Sequence, residues 1–331
     1  MRRRELIAIL GGAAAWPLAA HAQQAGRSRR IGVLIGGDES DPDRRSWLAE
    51  FQKALQKLGW TDGRNIRMDL RWAAADRDRA AAYAAVLVAL KPDALFVDNT
   101  FVAEALQRAT HTVPIVFAHI SNPVGSGFVS GLARPGGNMT GFSDSEPSIL
   151  AKFAEFTKQM APDVKRVAII VGVAAAQTPA LRMSIDAIAA AASSVGLSAD
   201  VVEVEGAREL EDAIVGFGQE PNGGLILPGD PVTTFHRRLI LALAARYKLP
   251  VLGGYRHLAA DGGLLSYGAK MSEQYQGAAG YIDRILKGEK PGDLPVQQPT
   301  KYELVINLKT AKALGVIMPP TLLARADEVI E

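Results

Sequence analysis

Short apolar runs alternate along this chain with longer segments in which apolar residues recur every three or four positions. The runs predict strands at 31–35, 66–70, 94–97 and 115–120, then at 167–171, 199–204, 225–227 and 250–252. The longer segments predict helices at 47–58, 77–90 and 101–110, then at 149–160, 181–195, 208–217 and 233–247. Strands separated by helices of this length form parallel crossovers. Because the order occurs twice, the pattern predicts an α/β fold with two doubly wound parallel-sheet lobes.

A glycine-rich segment, residues 121–143, lies between the two series and is predicted to form the floor and hinge of the molecule. After the second series, a strand is predicted at 264–267, a helix at 275–286 and a last strand at 303–306. We expect the first strand and the helix of this tail to return to the first lobe, and the last strand to join the second.

Three crossovers therefore join the two predicted lobes, and the ligand cleft is expected between them. The predicted N-terminal lobe comprises 30–143 plus 265–292, and the predicted C-terminal lobe comprises 144–264 plus 293–331. The predicted hinge residues are Thr140, Gly141, Tyr267 and Gly268.

The first 22 residues have the pattern of an export signal. Three arginines precede an apolar stretch at 6–20, and Ala20-His21-Ala22 fits a small-x-small cleavage site. The stretch is shorter than the roughly 20 residues that span a bilayer. We therefore expect a signal peptide, 1–22, and a periplasmic mature protein that does not insert into the membrane. Arg3-Arg4 fits twin-arginine export as well as general secretion, and the sequence leaves both open.

Composition narrows the class of protein. The 331 residues are 48% hydrophobic, which is enough to bury two cores. Beyond residue 22 the chain has 34 basic and 34 acidic residues, and this balance argues against nucleic-acid binding. The chain contains no cysteine, which excludes disulfides, thiolate metal sites, a cysteine nucleophile and a lipid-anchored N-terminal cysteine. The mature protein is therefore not expected to be a lipoprotein.

Polar residues follow most of the predicted strands. Ligands bind beyond the carboxyl ends of the strands in open parallel sheets, where helix N-termini favour an anionic group. The polar candidates for ligand binding are Asp38, Asn99, Thr100, Ser121, Asn122, Gln177, Thr178, Asp230 and Tyr255, and the candidate apolar walls are Trp72 and Phe101. For each Asn, Thr, Asp and Ser, a role as a helix N-cap alone remains open. Trp72 fits the core and the cleft wall equally well.

The sequence gives little support for catalysis, a metal or a cofactor. It contains no Walker loop, no HExxH zinc motif and no GxSxG nucleophile elbow. The histidines beyond residue 22 lack metal-ligand spacing, and His119 is interpreted as a core histidine. Asp41, Asp43, Arg44 and Arg45 are interpreted as a solvated charge cluster at a helix start. We therefore expect no enzyme, no cofactor and no metal site.

Four longer runs carry a resemblance that covers essentially the whole chain. They are Asn122-Pro-Val with Leu132-Ala-Arg-Pro-Gly-Gly-Asn-Met-Thr-Gly141, Gly262-Gly-Leu-Leu-Ser-Tyr-Gly268, Ile285-Leu-Lys-Gly-Glu-Lys-Pro-Gly-Asp-Leu-Pro295, and Tyr302-Glu-Leu-Val-Ile-Asn-Leu-Lys-Thr-Ala-Lys-Ala-Leu-Gly315. In these runs the chain resembles the ABC transporter substrate-binding protein family with a type I periplasmic-binding fold. The similar branch includes binders of tryptophan and other aromatic amino acids.

The resemblance implies a non-catalytic receptor that closes over a small molecule and delivers it to an ABC permease with its ATPase. It implies that Thr100, Ser121 and Asn122 hold a carboxylate or polar head, and that Asp230 meets an ammonium group. The expected ligand is an amino acid or an aromatic carboxylate, but two loops of the second lobe depart from the family pattern and leave its identity open. The alternatives are a receptor that serves a chemoreceptor or sensor kinase and, with less support, an exported α/β enzyme.

Overall fold

The computed structural model describes residues 28–144 and 147–331, and its first sheet confirms the parallel architecture predicted for the first lobe. The strands are β1 (Arg29–Ile35), β2 (Ile66–Trp72), β3 (Ala94–Asp98), β4 (Ile115–Ile120) and β5 (Met139–Ser143). They pair in parallel in the order β2-β1-β3-β4-β5. The helices of this part are α1 (Pro42–Lys57), α2 (Arg77–Ala89) and α3 (Thr100–Ala109).

The second sheet contains the remaining strands and forms the second lobe. These are β6 (Arg166–Gly172), β7 (Ser198–Val204), β8 (Gly223–Leu227), β9 (Val251–Gly253), β10 (Leu265–Ala269), β11 (Tyr302–Asn307) and β12 (Glu328–Ile330). Their order is β12-β11-β10-β9-β8-β6-β7, and every pair is parallel except β10 with β11.

The helices that follow the first sheet are of very different lengths. They are α4 (Pro147–Met160), α5 (Val173–Ala176), α6 (Pro179–Ser194), α7 (Ala207–Gly218), α8 (Pro231–Phe235), α9 (Arg237–Arg246), α10 (Arg256–Ala260), α11 (Met271–Leu286), α12 (Leu308–Leu314) and α13 (Pro320–Leu323), with a 3₁₀ turn at Pro291–Asp293. The helix predicted at 233–247 is in fact two helices, α8 and α9, which meet at His236. Asp230 caps α8 and Pro231 opens it, so helical structure begins before the apolar periodicity does.

The burial of the central strands explains why the sequence predicts them correctly. All residues of β3 and β4 are buried, as expected for parallel strands that helices cover on both faces. In the first lobe Phe51 of α1 stacks on Phe96 of β3 with 4.4 Å between ring centroids. Helix α11 supplies Tyr275 and Ile282 to the same core. Helix α11 of the tail therefore completes the first lobe, as the sequence predicts for this helix.

The lobe boundaries differ from the predicted ones at two places. Strand β10 pairs with β9 and β11, so residues 265–269 belong to the second sheet and not to the first lobe. Leu294 is buried in the first-lobe core and Gln297 bridges to Phe142, so 293–297 stay with the first lobe. The chain thus crosses between the lobes after Ser143, after Ala269 and after Gln297. The alternation at 264–267 fits a strand in either sheet, because local sequence does not specify a strand's partner.

The glycine-rich segment 121–143 is not a hinge along its whole length. Phe128 and Val129 are buried in the core of the first lobe, so most of the segment is packed on that lobe. Only its end at Ser143 leads into a crossing. The predicted hinge residues Thr140 and Gly141 lie in β5, and Tyr267 and Gly268 lie in β10, next to two of the crossings.

The export signal predicted at 1–22 lies outside the described residues. Across residues 28–144 and 147–331, no helix combines the length and the apolar character needed to cross a bilayer. After β11 the chain forms α12, α13 and the short strand β12, which lie beyond the last predicted strand.

Candidate ligand-binding cleft

A cavity of about 320 Å³ lies between the two lobes, at the carboxyl ends of β3 and β4 on one side and of β6 and β8 on the other. Its size falls in the range of small-molecule sites, roughly 300–1,000 Å³. Seven of the predicted ligand-binding residues line it, namely Asn99, Thr100, Phe101, Ser121, Thr178, Asp230 and Tyr255. Because these residues come from both lobes, a molecule bound here contacts both.

The other four predicted residues lie outside this cavity. Asp38 and Trp72 line a separate depression on the surface of the first lobe. Asn122 accepts a hydrogen bond from the Gly125 backbone at 2.9 Å, and its Nδ2 lies 3.6 Å from Met183 Sδ of the second lobe. Gln177 is exposed and its amide donates to Glu203 at 3.4 Å.

The N-terminus of α3 forms the first-lobe side of the cavity. Asn99 precedes the helix with φ +82°, and within the described part of the chain its side chain makes no capping hydrogen bond. Gly36 allows this turn to pack closely, since a Cβ there would lie 3.0 Å from the Phe101 ring and 3.1 Å from Asn99 Cβ. The first-turn N–H groups at Thr100 and Phe101 therefore form an anion-attracting end of the helix at the cavity wall.

Asp230 forms the opposite side of the cavity and is also the N-cap of α8. Its carboxylate accepts hydrogen bonds from the backbone of Val232 and Thr233 and from the Thr233 hydroxyl, at 2.9, 3.2 and 2.6 Å. Burial raises the pKa of Asp230, and these hydrogen bonds oppose the rise. Thr178 likewise caps α6. Asp230 and Thr178 therefore each cap a helix and line the cavity, because the N-termini of these two helices lie at the cavity wall.

The floor of the cavity is a polar cluster that joins the lobes. His119 Nε2 lies 2.6 Å from the hydroxyl of Tyr255 and 3.4 Å from Asp144 Oδ2. Ser121 donates to Asp144 Oδ1 at 2.8 Å. Burial lowers the pKa of His119, and burial together with the Asp144 carboxylate raises the pKa of Tyr255. Both side chains are therefore neutral near pH 7, and they connect β4 of the first lobe to the second lobe.

His119 is buried, as the sequence interpretation expects, but it also lines the cavity. It interrupts the pairing of β4 with β5 and has φ +57°, a conformation that costs free energy in a non-glycine residue. Its backbone N–H donates instead to Gln274 Oε1 of α11 at 2.9 Å. Gln274 Nε2 donates to the Ser143 carbonyl at 3.0 Å, so one side chain holds the strand irregularity beside the first crossing.

Sequence reasoning missed Arg44, and the interpretation of it as a solvated helix start is wrong. Arg44 is 6% exposed, lines the cavity and forms an ion pair with Asp98, which is fully buried at the end of β3. The available signal was Asp98 itself. A carboxylate at the end of an otherwise apolar buried strand requires a partner, and arginine is a suitable one. Among the described residues, no cluster of three or more metal-ligating side chains is present.

A model of the ABC transporter substrate binding protein family matches residues 39–330. The tyrosine-binding protein of Clostridioides difficile (strain R20291) is 26% identical over 264 residues, which are 80% of this chain and 75% of that protein. An ABC domain from Streptococcus pneumoniae in complex with L-Trp has a TM-score of 0.84 and 25% identity, covering 92% of this chain and 100% of that one.

The ligand-free, open structure of a substrate binding protein from Clostridium difficile has a lower TM-score of 0.68, at 25% identity over 91% of this chain and 99% of that one. The TM-score is therefore higher against the L-Trp complex than against the open form. In the described residues, His119 and Tyr255 make a polar contact across the cleft.

Proposed function

The chain belongs to the family of ABC transporter substrate-binding proteins, and on this basis we propose that it is the extracytoplasmic receptor of an ABC importer. It captures an amino acid between its two lobes and delivers it chemically unchanged to a membrane permease that works with an ATPase. Residues 1–22 direct the protein to the periplasm. The partners are therefore a small carboxylate-bearing ligand, the permease and its ATPase.

The observation that carries this proposal is the presence of opposite electrostatic preferences on the two sides of one cavity. The uncapped N-terminus of α3, with the Thr100 hydroxyl, favours a carboxylate. The buried carboxylate of Asp230, on the other lobe, favours an ammonium group, because a nearby positive charge stabilises its ionised form. A zwitterionic amino acid satisfies both sides at once, whereas a carboxylate without an amine satisfies only one.

The apolar part of the cavity is suited to the side chain of such a ligand. Phe101 of the first lobe and Leu181 and Val232 of the second line it. Relatives named for tyrosine or solved with L-Trp support an aromatic amino acid as the first candidate. Ligand contacts from both lobes favour the closed arrangement of the lobes, because only closure completes them.

The direct test is a thermal-shift screen of the mature protein with the twenty amino acids and with aromatic carboxylates that lack an amine, followed by native mass spectrometry. At a hundredfold excess over Kd, a ligand raises the free energy of unfolding by about 2.7 kcal/mol. We expect one or a few amino acids to stabilise the protein and to be recovered unchanged. Consumption of the ligand would instead indicate an enzyme. Stabilisation only by carboxylates that lack an amine would contradict the proposal that the ligand is a zwitterionic amino acid.

Asp230→Asn tests the ammonium side in the same assay. Asparagine can keep the N-cap hydrogen bonds but lacks the negative charge, so we expect amino-acid affinity to fall roughly tenfold to a hundredfold with little loss of stability. Asp76→Asn is the control, since Asp76 also caps a helix, accepting a hydrogen bond from the Arg79 backbone at the start of α2, but does not line the cavity. Equal affinities of the two variants would remove Asp230 from the site.

A further inference from the structure

Arg44 is held in the cavity wall by contacts that leave its side chain little freedom. Its Nη1 donates to Asp98 Oδ2. The same oxygen accepts from the Tyr275 hydroxyl at 2.7 Å, and Asp98 Oδ1 accepts from the Gly36 backbone at 2.6 Å. Gly36 and Tyr275 hold the Asp98 carboxylate in the core, and the carboxylate holds the Arg44 guanidinium in turn, because a buried charge is costly without its partner.

Gly37 provides the space in which the Arg44 side chain lies. A Cβ at Gly37 would be 2.1 Å from Arg44 Cδ and 2.2 Å from Nε, far inside van der Waals contact. The backbone of Gly37 is outside the left-handed region, so any residue could adopt its conformation. The need for glycine at this position therefore comes from the arginine that packs on it.

The guanidinium retains donors for a further partner. It carries five N–H donors, of which Asp98 uses one. Asp41 Oδ2 lies 3.8 Å from Nε, which is too long for a hydrogen bond. Within the described part of the chain Nη2 makes no hydrogen bond, and because Arg44 lines the cavity this donor is available to a ligand there.

Asp98 pairs with Arg44 and Asp144 also lines the cavity, but two other groups near the guanidinium do not compete with an anionic ligand atom. His119 and Tyr255 are close enough for the charge of Arg44 to affect their pKa values. Both are neutral near pH 7, so neither is an anion that competes for the guanidinium. The other cavity arginine, Arg77, is exposed and lies 3.2 Å from Glu104 Oε2. Arg44 is therefore the arginine of the cavity that is both buried and fixed, and a buried guanidinium pairs with a carboxylate in a fork geometry.

We propose that Arg44 binds the carboxylate of the ligand, and that Asp98 and Gly37 are positioning residues that hold Arg44 for this contact. The inference rests on the proposed capture of an amino acid and names the residue that selects its acid end. With the carboxylate at Arg44 and at the N-terminus of α3, the ammonium group is directed towards Asp230 on the opposite lobe.

The test compares an acid with its own amide, using L-tryptophan against L-tryptophanamide and L-tyrosine against L-tyrosinamide in isothermal titration calorimetry. The wild-type protein should bind the acid roughly tenfold to a hundredfold more tightly than the amide, the range expected of a charged hydrogen-bonded contact. In Arg44→Gln this ratio should fall towards one. The ratio reports the interaction of residue 44 with the carboxylate and not the stability of the fold, because both ligands meet the same protein.

Arg30→Gln is the matched control, since Arg30 is a partly buried arginine of the first lobe that pairs with Asp69 and does not line the cavity, and it should leave the acid-to-amide ratio near the wild-type value. If Arg44→Gln fails to fold because Asp98 is left unpaired, the double variant Arg44→Gln/Asp98→Asn removes both buried charges and should show the same collapse of the ratio. An unchanged ratio in the folded variant would overturn the proposal and assign the carboxylate to the α3 N-terminus alone.

Gly37→Ala displaces Arg44 without removing it, so it should lower the acid-to-amide ratio while the arginine is still present. Gly254→Ala is its control, because a Cβ there meets no atom of the described residues within 4 Å and should leave the ratio unchanged. Failure of every one of the twenty amino acids, and not only of these two, to bind the wild-type protein would contradict the proposed function and this inference together. Binding with a ratio that neither Arg44→Gln nor Gly37→Ala alters would overturn the inference alone.

Discussion

Asp98 and His119 end or interrupt strands whose other residues are apolar, and each residue finds its partner far away in the sequence. Asp98 pairs with Arg44 and Tyr275, and His119 contacts Tyr255 of the other lobe. Buried polar groups require such partners because an unpaired one costs free energy in the folded state. At the residue scale, the cleft is thus a set of buried polar pairs supported by apolar strands.

His257 is another buried polar residue, and it should make the free energy of unfolding depend on pH. Burial lowers the pKa of His257 to about 4, with Arg237 adding to the effect, while an unfolded histidine titrates near about 6.5. The unfolded chain therefore binds more protons between these values, and the free energy of unfolding should fall by about 3 kcal/mol as the pH falls through this window. Burial also lowers the pKa of His119, which acts in the same direction.

Urea unfolding at about pH 7 and about pH 4.5 measures this loss in the wild-type protein and in His257→Gln. Glutamine does not titrate, so the variant should lose less stability between the two pH values, whatever its stability at pH 7. Equal losses in the two proteins would show that His257 does not remain neutral in the folded state.

Among the elements, the central strands and most helices could be predicted because buried parallel strands are continuous apolar runs and amphipathic helices are periodic. The sheet to which β10 belongs could not be predicted, since its pairing with β9 and β11 depends on residues distant in sequence. The break between α8 and α9 was missed because the helical spacing of Val232, Phe235 and Leu239 continues across it. Of the candidate site, strand-end residues could be located from topology. Arg44 could not, because it lies on a helix and not at a strand end, and the buried Asp98 shows only that a partner is required and not which residue supplies it.

Gly268 shows how closely the elements of the second sheet approach each other. A Cβ at this position in β10 would lie 1.8 Å from the Gly254 carbonyl oxygen, which is backbone and cannot rotate away. Gly268→Ala should therefore lower the free energy of unfolding by about 1–3 kcal/mol or more. Gly280→Ala in α11 is the control, since no atom of the described chain lies within 4 Å of its Cβ, and it should raise stability by about 0.5–1 kcal/mol. Similar stabilities for the two variants in urea unfolding would contradict this close approach.

In the whole molecule, each lobe has its own hydrophobic core. Three crossings of the chain and contacts across the cleft join the two lobes. Asp43 of the first lobe lies 3.9 Å from Arg237 and 3.6 Å from His257 of the second, and His119 contacts Tyr255. These contacts are polar, and Trp47 adds a ring contact with His257 at 6.4 Å between centroids. Interfaces that are largely polar permit relative motion of domains. A ligand that contacts both lobes should therefore shift the population towards the closed arrangement.

The most direct test of this account is the distance between the two cleft edges with and without ligand. The chain has no cysteine, so Val124→Cys and Met183→Cys place one spin label on each lobe at exposed positions. The two positions lie at the edges that meet where Asn122 contacts Met183 in the wild-type protein, so the distance between the labels reports how close these edges are. At a saturating concentration of an amino acid that stabilises the protein, pulsed electron paramagnetic resonance should give a shorter and narrower distribution of label-to-label distances than without the amino acid. Identical distributions in the two conditions would contradict the central claim that the lobes close around the ligand.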